Sequence, residues 1–212
     1  MNDFLIWGAN GHAKVLAELI QTQHLGRICA LVDINPNVPS FIPNVPIFHH
    51  QNALLDFLNQ TTPQNPWAGV VAIGGQNGNT RLNYLNFFKE NGVLTPNLVH
   101  RSALLLSDIP HNAGIQILAN ATLGVKVQVG HAVILNSCVN VEHECILEDG
   151  VHLSPSATLC GVVHVGQNAW IGAASTVLPY LKIGRNALIG AGSVVTKNIP
   201  PDVIAKGNPA RF

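Results

Sequence analysis

Two hydrophobic periods divide this chain. Through residue 98, short apolar runs alternate with stretches whose apolar positions recur at helical spacing. "FLIW" (4–7) reads as a buried strand, and "GANGHAKVLAELI" (8–20) as a tight turn running into an amphipathic helix. "ICALVD" (28–33) and "GVVAIG" (69–74) are the next strands. "QNALLDFLNQ" (51–60) and "NTRLNYLNFFKEN" (79–91) are the next helices. Strand, helix, strand, helix, strand predicts a parallel sheet with crossover helices, a Rossmann-like α/β unit too short for two complete halves.

From residue 99 the period is six. Stepping by six from Ile117 gives Leu123, Val129, Leu135, Val141, Leu147, Leu153, Leu159, Val165, Ile171, Val177, Ile183, Ile189 and Val195, all aliphatic. The register reaches back to Leu105 and Val99, with His111 as its one break. Four residues after many of these anchors comes a second, mostly small set: Ala121, Val133, Cys145, Ala157, Ala169, Ala187 and Ser193. Glycine often follows the anchor directly, as at Gly124, Gly166 and Gly184. A helix of 3.6 residues per turn cannot keep a six-residue repeat on one face. Short strands that bend at every sixth residue can, with the aliphatic inward and glycine expected to ease the corners. Three strands close a coil of about 18 residues, and stacked coils share one core. The chain is therefore expected to divide into an α/β domain at 1–98 and an all-β parallel β-helix at 99–212 of roughly six coils.

Composition narrows the partners. Hydrophobic residues make up 47% and charged ones 10%, which excludes a disordered chain. Eleven basic residues balance 11 acidic ones without a basic stripe, so binding to nucleic acid is not expected. No apolar run approaches a membrane span, and no cleavable signal peptide is apparent. Cys29, Cys138, Cys145 and Cys160 form no CxxC pair. They read as reduced thiols of a cytoplasmic protein.

"NVEHECILEDG" (140–150) concentrates ionisable groups in an otherwise aliphatic tract. Val141 and Cys145 take the inward positions, so Glu142, His143 and Glu144 lie on the outer side or at a corner. An ordinary exposed histidine is the plain reading. A base beside a carboxylate is the chemical one, with either glutamate able to orient the ring. His131, His143, His152 and His164 follow one another at 12, 9 and 12 residues. That spacing puts no close pair within one coil, so no metal site is expected.

The tracts 139–184 and 188–212, closing on "KGNPARF", together with "IWGANGHAKVLAELI" (6–20), resemble the sialic acid O-acetyltransferase and UDP-4-amino-sugar (bacillosamine-type) N-acetyltransferase family of hexapeptide-repeat sugar acyltransferases. The resemblance implies a left-handed β-helix that binds acetyl-CoA, the acyl donor. It also implies an N-terminal domain that binds the nucleotide of a nucleotide-linked amino sugar, and a homotrimer with active sites between subunits. It makes His143 the general base and Glu144 its orienting carboxylate. His152, on a loop just beyond the base, and Gly161 match positions near the thioester, and Ala173 and Ala191 match further cofactor contacts. Lys206 or Arg211 would meet the phosphates of CoA.

In the N-terminal domain, Asn10, Gly11 and His12 match the nucleotide-binding turn. Asp33 and Ile34 match the end of the second strand, and Gly74 the end of the third. The loop "GGQNGNTR" (74–81) departs from the family's shorter one. Arg81 is read there as a residue of a solvated helix, with a phosphate contact as the alternative. The expected activity is transfer of acetyl to the 4-amino group of a UDP-4-amino-4,6-dideoxy sugar. O-acetylation of sialic acid or another nucleotide-linked sugar, and a non-catalytic nucleotide-sugar-binding scaffold, are the alternatives.

Overall fold

The computed structural model describes all of residues 1–212, which form two compact units. The first comprises Met1–Ile73 and Asn83–Pro96, and the second Gly74–Leu82 and Asn97–Phe212.

The first unit is a parallel four-stranded sheet. Its strands are β1 (Asn2–Trp7), β2 (Gly26–Val32), β3 (Ile47–Phe48) and β4 (Trp67–Val71), in the order β3-β2-β1-β4. Helices α1 (Gly11–Thr22) and α2 (Gln51–Gln60) connect strands. A third helix, α3 (Gly78–Glu90), begins within the stretch grouped with the second unit. α1 buries Ala13, Leu16, Ala17 and Ile20, a stripe at three- and four-residue spacing. Trp7 stacks on Tyr84 with ring centroids 3.9 Å apart, and Phe87 and Phe88 meet its edge. Strand β3 is absent from the sequence reading. Two residues after a proline-rich loop carry no periodicity, and only pairing of Leu31 with Ile47 and Val32 with Phe48 defines them. The third predicted strand, 69–74, lies earlier, at β4, and Gly74 is outside the sheet.

One buried carboxylate ties the far end of this sheet together. Asp3 is fully buried and accepts from the Arg27 guanidinium, from the Gln64 and Asn65 amides and from the Asn65 side chain. The Arg27 guanidinium, above all, holds the Asp3 carboxyl well below the usual carboxylate range, against the opposing effect of burial.

The second unit is a left-handed parallel β-helix made of two-residue strands. Residues 18 apart pair in register: Ile134 with His152 and Trp170, Asn140 with Thr158 and Thr176, Ile146 with His164 and Lys182. The three faces hold seven, six and four strands. The aliphatic repeat and its smaller companions are buried along one continuous core from Ala113 to Ala210. The break at His111 is real: it is exposed, and the third face lacks a strand there.

The glycines that directly follow the anchors do not ease the corners. The left-handed backbone falls two residues later, at Lys126, Ala132, Cys138, Glu144, Val162 and Asn168 among others. Glycine is required for close approach instead. A Cβ on Gly124 would come within 2.9 Å of the backbone of Glu142 and His143 in the next coil.

Asp3→Asn is expected to destabilise the chain by about 1–3 kcal/mol at neutral pH, the usual cost of mismatched buried hydrogen bonds. Because folding lowers the Asp3 pKa, its contribution is complete above the unfolded value of about 4 and is lost as the pH falls below it. Urea midpoints measured against pH should therefore show an acid-side decline that is shallower in Asp3→Asn.

Candidate active site

The β-helix has three corners per coil, and each corner repeats every 18 residues. His143 and Gly161 occupy one such column, because Val162 N–H donates to the His143 carbonyl and Tyr180 N–H to that of Gly161. Ala173 and Ala191 occupy another: Ala174 N–H donates to Pro155 O and Gly192 N–H to Ala173 O.

At the first corner His143 is half exposed, and its Nδ1 lies 3.1 Å from Glu144 Oε2. A carboxylate only accepts, so in the neutral ring Nδ1 carries the proton and Nε2 presents a lone pair. The left-handed conformation of Glu144, φ 59°, accompanies this turn-back of its side chain towards the preceding residue. Glu142 accepts from Asn140 Nδ2 instead. The ring lies directly over Gly161, where a Cβ would collide with Nε2 and Cε1. His143 is thus bracketed by two glycines, Gly124 under its backbone and Gly161 under its ring. Cys145 is buried, donates its thiol to Cys160 O, and burial pushes its pKa up, so it is no nucleophile.

His152 is not on a loop. It opens a strand and is 6% exposed, on the face that lies between two other corners and opposite the His143 corner. One chain therefore brings His143, Glu144 and Gly161 together and keeps His152 on the other side of the prism. The 74–82 segment covers His152: Gly75 N–H donates to its Nδ1 at 2.7 Å. A Cβ on Gly74 would be 3.4 Å from its ring.

Arg81 corrects the sequence reading. It is buried in this segment, where its guanidinium donates to the carbonyls of Ala132, Gly75 and Gly150, and burial lowers its pKa to about 10. A solvated helix face was expected because nothing local reveals that carbonyls from two coil corners converge there. Lys206 and Arg211 exchange backbone hydrogen bonds and are exposed.

In the first unit, Asn10 and Gly11 are exposed at the start of α1, with His12 partly buried beside them. Asn10 does not cap the helix; its amide donates to Asp33 Oδ2 at 3.2 Å, and Ala9 N–H donates to the same oxygen. Asp33 Oδ1 accepts from Asn35 N–H. The carboxylate of Asp33 is therefore already engaged in fixing the turn. Ile34 is exposed and lines a cavity of about 330 Å³ with Trp7, His49, His50, Gln51, Asn52 and Tyr84. His49 donates Nδ1–H to the Asp33 carbonyl at 2.8 Å. The sequence reading missed His49, His50 and Tyr84. The "HH" step was visible, but without β3 nothing marked it as the carboxyl end of a strand, where α/β sheets bind ligands.

No helix is long and apolar enough to cross a membrane, and no group of three or more His, Cys, Asp or Glu side chains is arranged to hold a metal.

Comparison with known proteins agrees with both units. Residues 3–86 match the PglD N-terminal domain, and residues 163–197 match the bacterial transferase hexapeptide repeat. GDP-perosamine N-acetyl transferase from Caulobacter crescentus, as a variant in complex with CoA and GDP-perosamine, is 28% identical. It aligns over 100% of this chain and 96% of its own, with a TM-score of 0.87. The acetyltransferase domain of PglB from Neisseria gonorrhoeae FA1090, in complex with acetyl coenzyme A, is also 28% identical over 100% of this chain and 99% of its own, with a TM-score of 0.82. An acyl-[acyl-carrier-protein]–UDP-N-acetylglucosamine O-acyltransferase from Thiobacillus denitrificans is 35% identical over 83 residues, which are 39% of this chain. The match spans about a third of the length of such curated relatives, 32% for this one. Residues 3–86 thus carry a PglD-type domain, residues 163–197 carry hexapeptide repeats, and the chain shares one fold end to end with these acetyltransferases.

Proposed function

We propose that this protein transfers the acetyl group of acetyl-CoA to the 4-amino group of a UDP-4-amino-4,6-dideoxy sugar of bacillosamine type. The observation that carries this reading is the His143–Glu144 pair: an exposed imidazole whose Nδ1–H is held by a carboxylate, leaving Nε2 as a base. In the reaction Nε2 takes the proton of the attacking amine as its nitrogen bonds to the thioester carbonyl carbon. The carbon–sulfur bond breaks, and the thiolate of CoA leaves with the electron pair. Glu144 stabilises the imidazolium formed in that step. No covalent intermediate on the enzyme is required, because the thioester is already activated.

Gly161, Ala173, Ala191 and His152 are assigned to acetyl-CoA. His143 and His152 lie on opposite sides of one β-helix, so a site that uses both needs two copies of the chain, which supports a homotrimer with three shared sites. The nucleotide is assigned to the α/β unit, at Asn10, Gly11, His12 and Ile34, with Asp33 holding the turn. Gly74, packed on His152, belongs with the acyl side instead. A GDP-linked amino sugar is the second reading, favoured by the ligand of the Caulobacter enzyme.

CoA release with a panel of UDP- and GDP-linked amino sugars and sialic acids tests the assignment. Turnover with one 4-amino sugar supports it; turnover only with a hydroxyl acceptor replaces it with O-acetylation. Binding of nucleotide and CoA with no release across the panel points to a scaffold.

His143→Ala should lower kcat by about 10²- to 10⁴-fold with acetyl-CoA affinity retained. Gly161→Ala should lower kcat by about 10²-fold, because the imidazole must leave its seat. Glu144→Gln should lower it about tenfold or more, while Glu142→Gln leaves it nearly unchanged. Co-expressing His143→Ala and His152→Ala chains should restore about a quarter of native turnover if each site takes one histidine from each of two copies. A mixture as inactive as its parents would place both histidines' roles within one chain.

A further inference from the structure

The segment 74–82 is held to the β-helix far more firmly than a connection requires. Beyond the Arg81 contacts, Gln76 Nε2 donates to Asn186 O at 2.6 Å and Asn168 Nδ2 to Asn79 Oδ1 at 2.6 Å. Asn77 Nδ2 closes the turn on Gly74 O at 2.8 Å. Two of these bonds end on backbone 74–75, from Asn77 to Gly74 O and from Arg81 Nη1 to Gly75 O, and that stretch lies against His152. On its other side a Cβ at Gly75 would be 3.9 Å from the Trp170 ring. That ring lies within 10° of parallel to His152 and is itself fixed by Trp170 Nε1–H donating to Ser154 Oγ at 2.7 Å.

The direction of the Gly75 hydrogen bond has a chemical consequence. A backbone N–H can only donate, so His152 Nδ1 must be a bare lone pair, and in the neutral ring the proton resides on Nε2. His143 is held in the opposite state, with Nδ1 protonated and Nε2 bare. Acyl transfer to an amine needs two different groups, a base for the proton and a donor for the negative charge that builds on the thioester oxygen. His143 and His152 are of opposite tautomer, one with Nε2 bare and the other with Nε2 protonated and buried within the single chain.

We infer that the 74–82 segment is a positioning element for catalysis: through the Gly75 amide it holds His152 as a neutral Nε2–H donor. Gln76, Asn77 and Arg81 are the residues that keep this amide in place. The inference rests on the assignment of His152 to the acyl group made above, and it gives the long loop a role in chemistry rather than in nucleotide binding.

Two measurements on the full chain test it separately from the reaction itself. In ¹⁵N-labelled protein, a nitrogen–nitrogen coupling across the hydrogen bond should link the Gly75 amide to an unprotonated His152 Nδ1. A protonated Nδ1, or no coupling, would overturn the inference whatever the enzyme acetylates. Kinetically, the surface variant Gln76→Ala/Asn77→Ala should lower kcat about tenfold in the native background and have no further effect in His152→Ala. An equal loss in both backgrounds, or none in the native one, would also overturn it. If the coupling is present but no panel sugar is acetylated, the assigned acceptor chemistry fails while the tautomer holds.

Discussion

Everything in the second unit depends on one constraint, the in-register stacking of residues 18 positions apart. Each inward aliphatic covers the one below it, and each corner amide donates to the corner carbonyl one coil down, as from Val162 to His143. The hydrophobic column and the backbone ladder specify the same register, so a slip by one residue would break both at once. That agreement lets a chain of two-residue strands act as a rigid rod. It also explains why a side chain can be aimed so closely at a corner: the corner is defined by neighbours above and below. His143 has a glycine in the coil on each side, and a Cβ at either would collide with its backbone or its ring.

Each unit carries a polar group that fixes geometry while already engaged within the protein. Asp33 has both oxygens taken by the amides of the turn and loop around it. Arg81 spends its donors on coil carbonyls. These are scaffolding roles for residue types that sequence patterns associate with ribose and phosphate. The groups left exposed beside them, such as Gly11 and Ile34, are the ones with surface to offer.

The β-helix was legible because its signal is redundant: fourteen aliphatic positions from Ile117 to Val195 agree on one period. The register also held the information that His152 opens a strand, since it immediately precedes the inward Leu153. The choice between Glu142 and Glu144 was not legible from the residues alone, because both flank His143 and only the folded corner shows which one returns to its ring. Neither was the burial of Arg81, whose partners come from 51 and 69 residues away. Local pattern reports on neighbours along the chain or at a fixed period, and the main contacts of Arg81 are neither. β3 escaped for a simpler reason, since two residues cannot display an alternation.

The missing strand at His111 leaves the three faces of the β-helix ending at different heights. A solenoid with three level ends would present a complete triangle of unpaired strand edges, able to accept the coil of another molecule and so on without limit. With one side cut short, no incoming coil can satisfy all three edges at once.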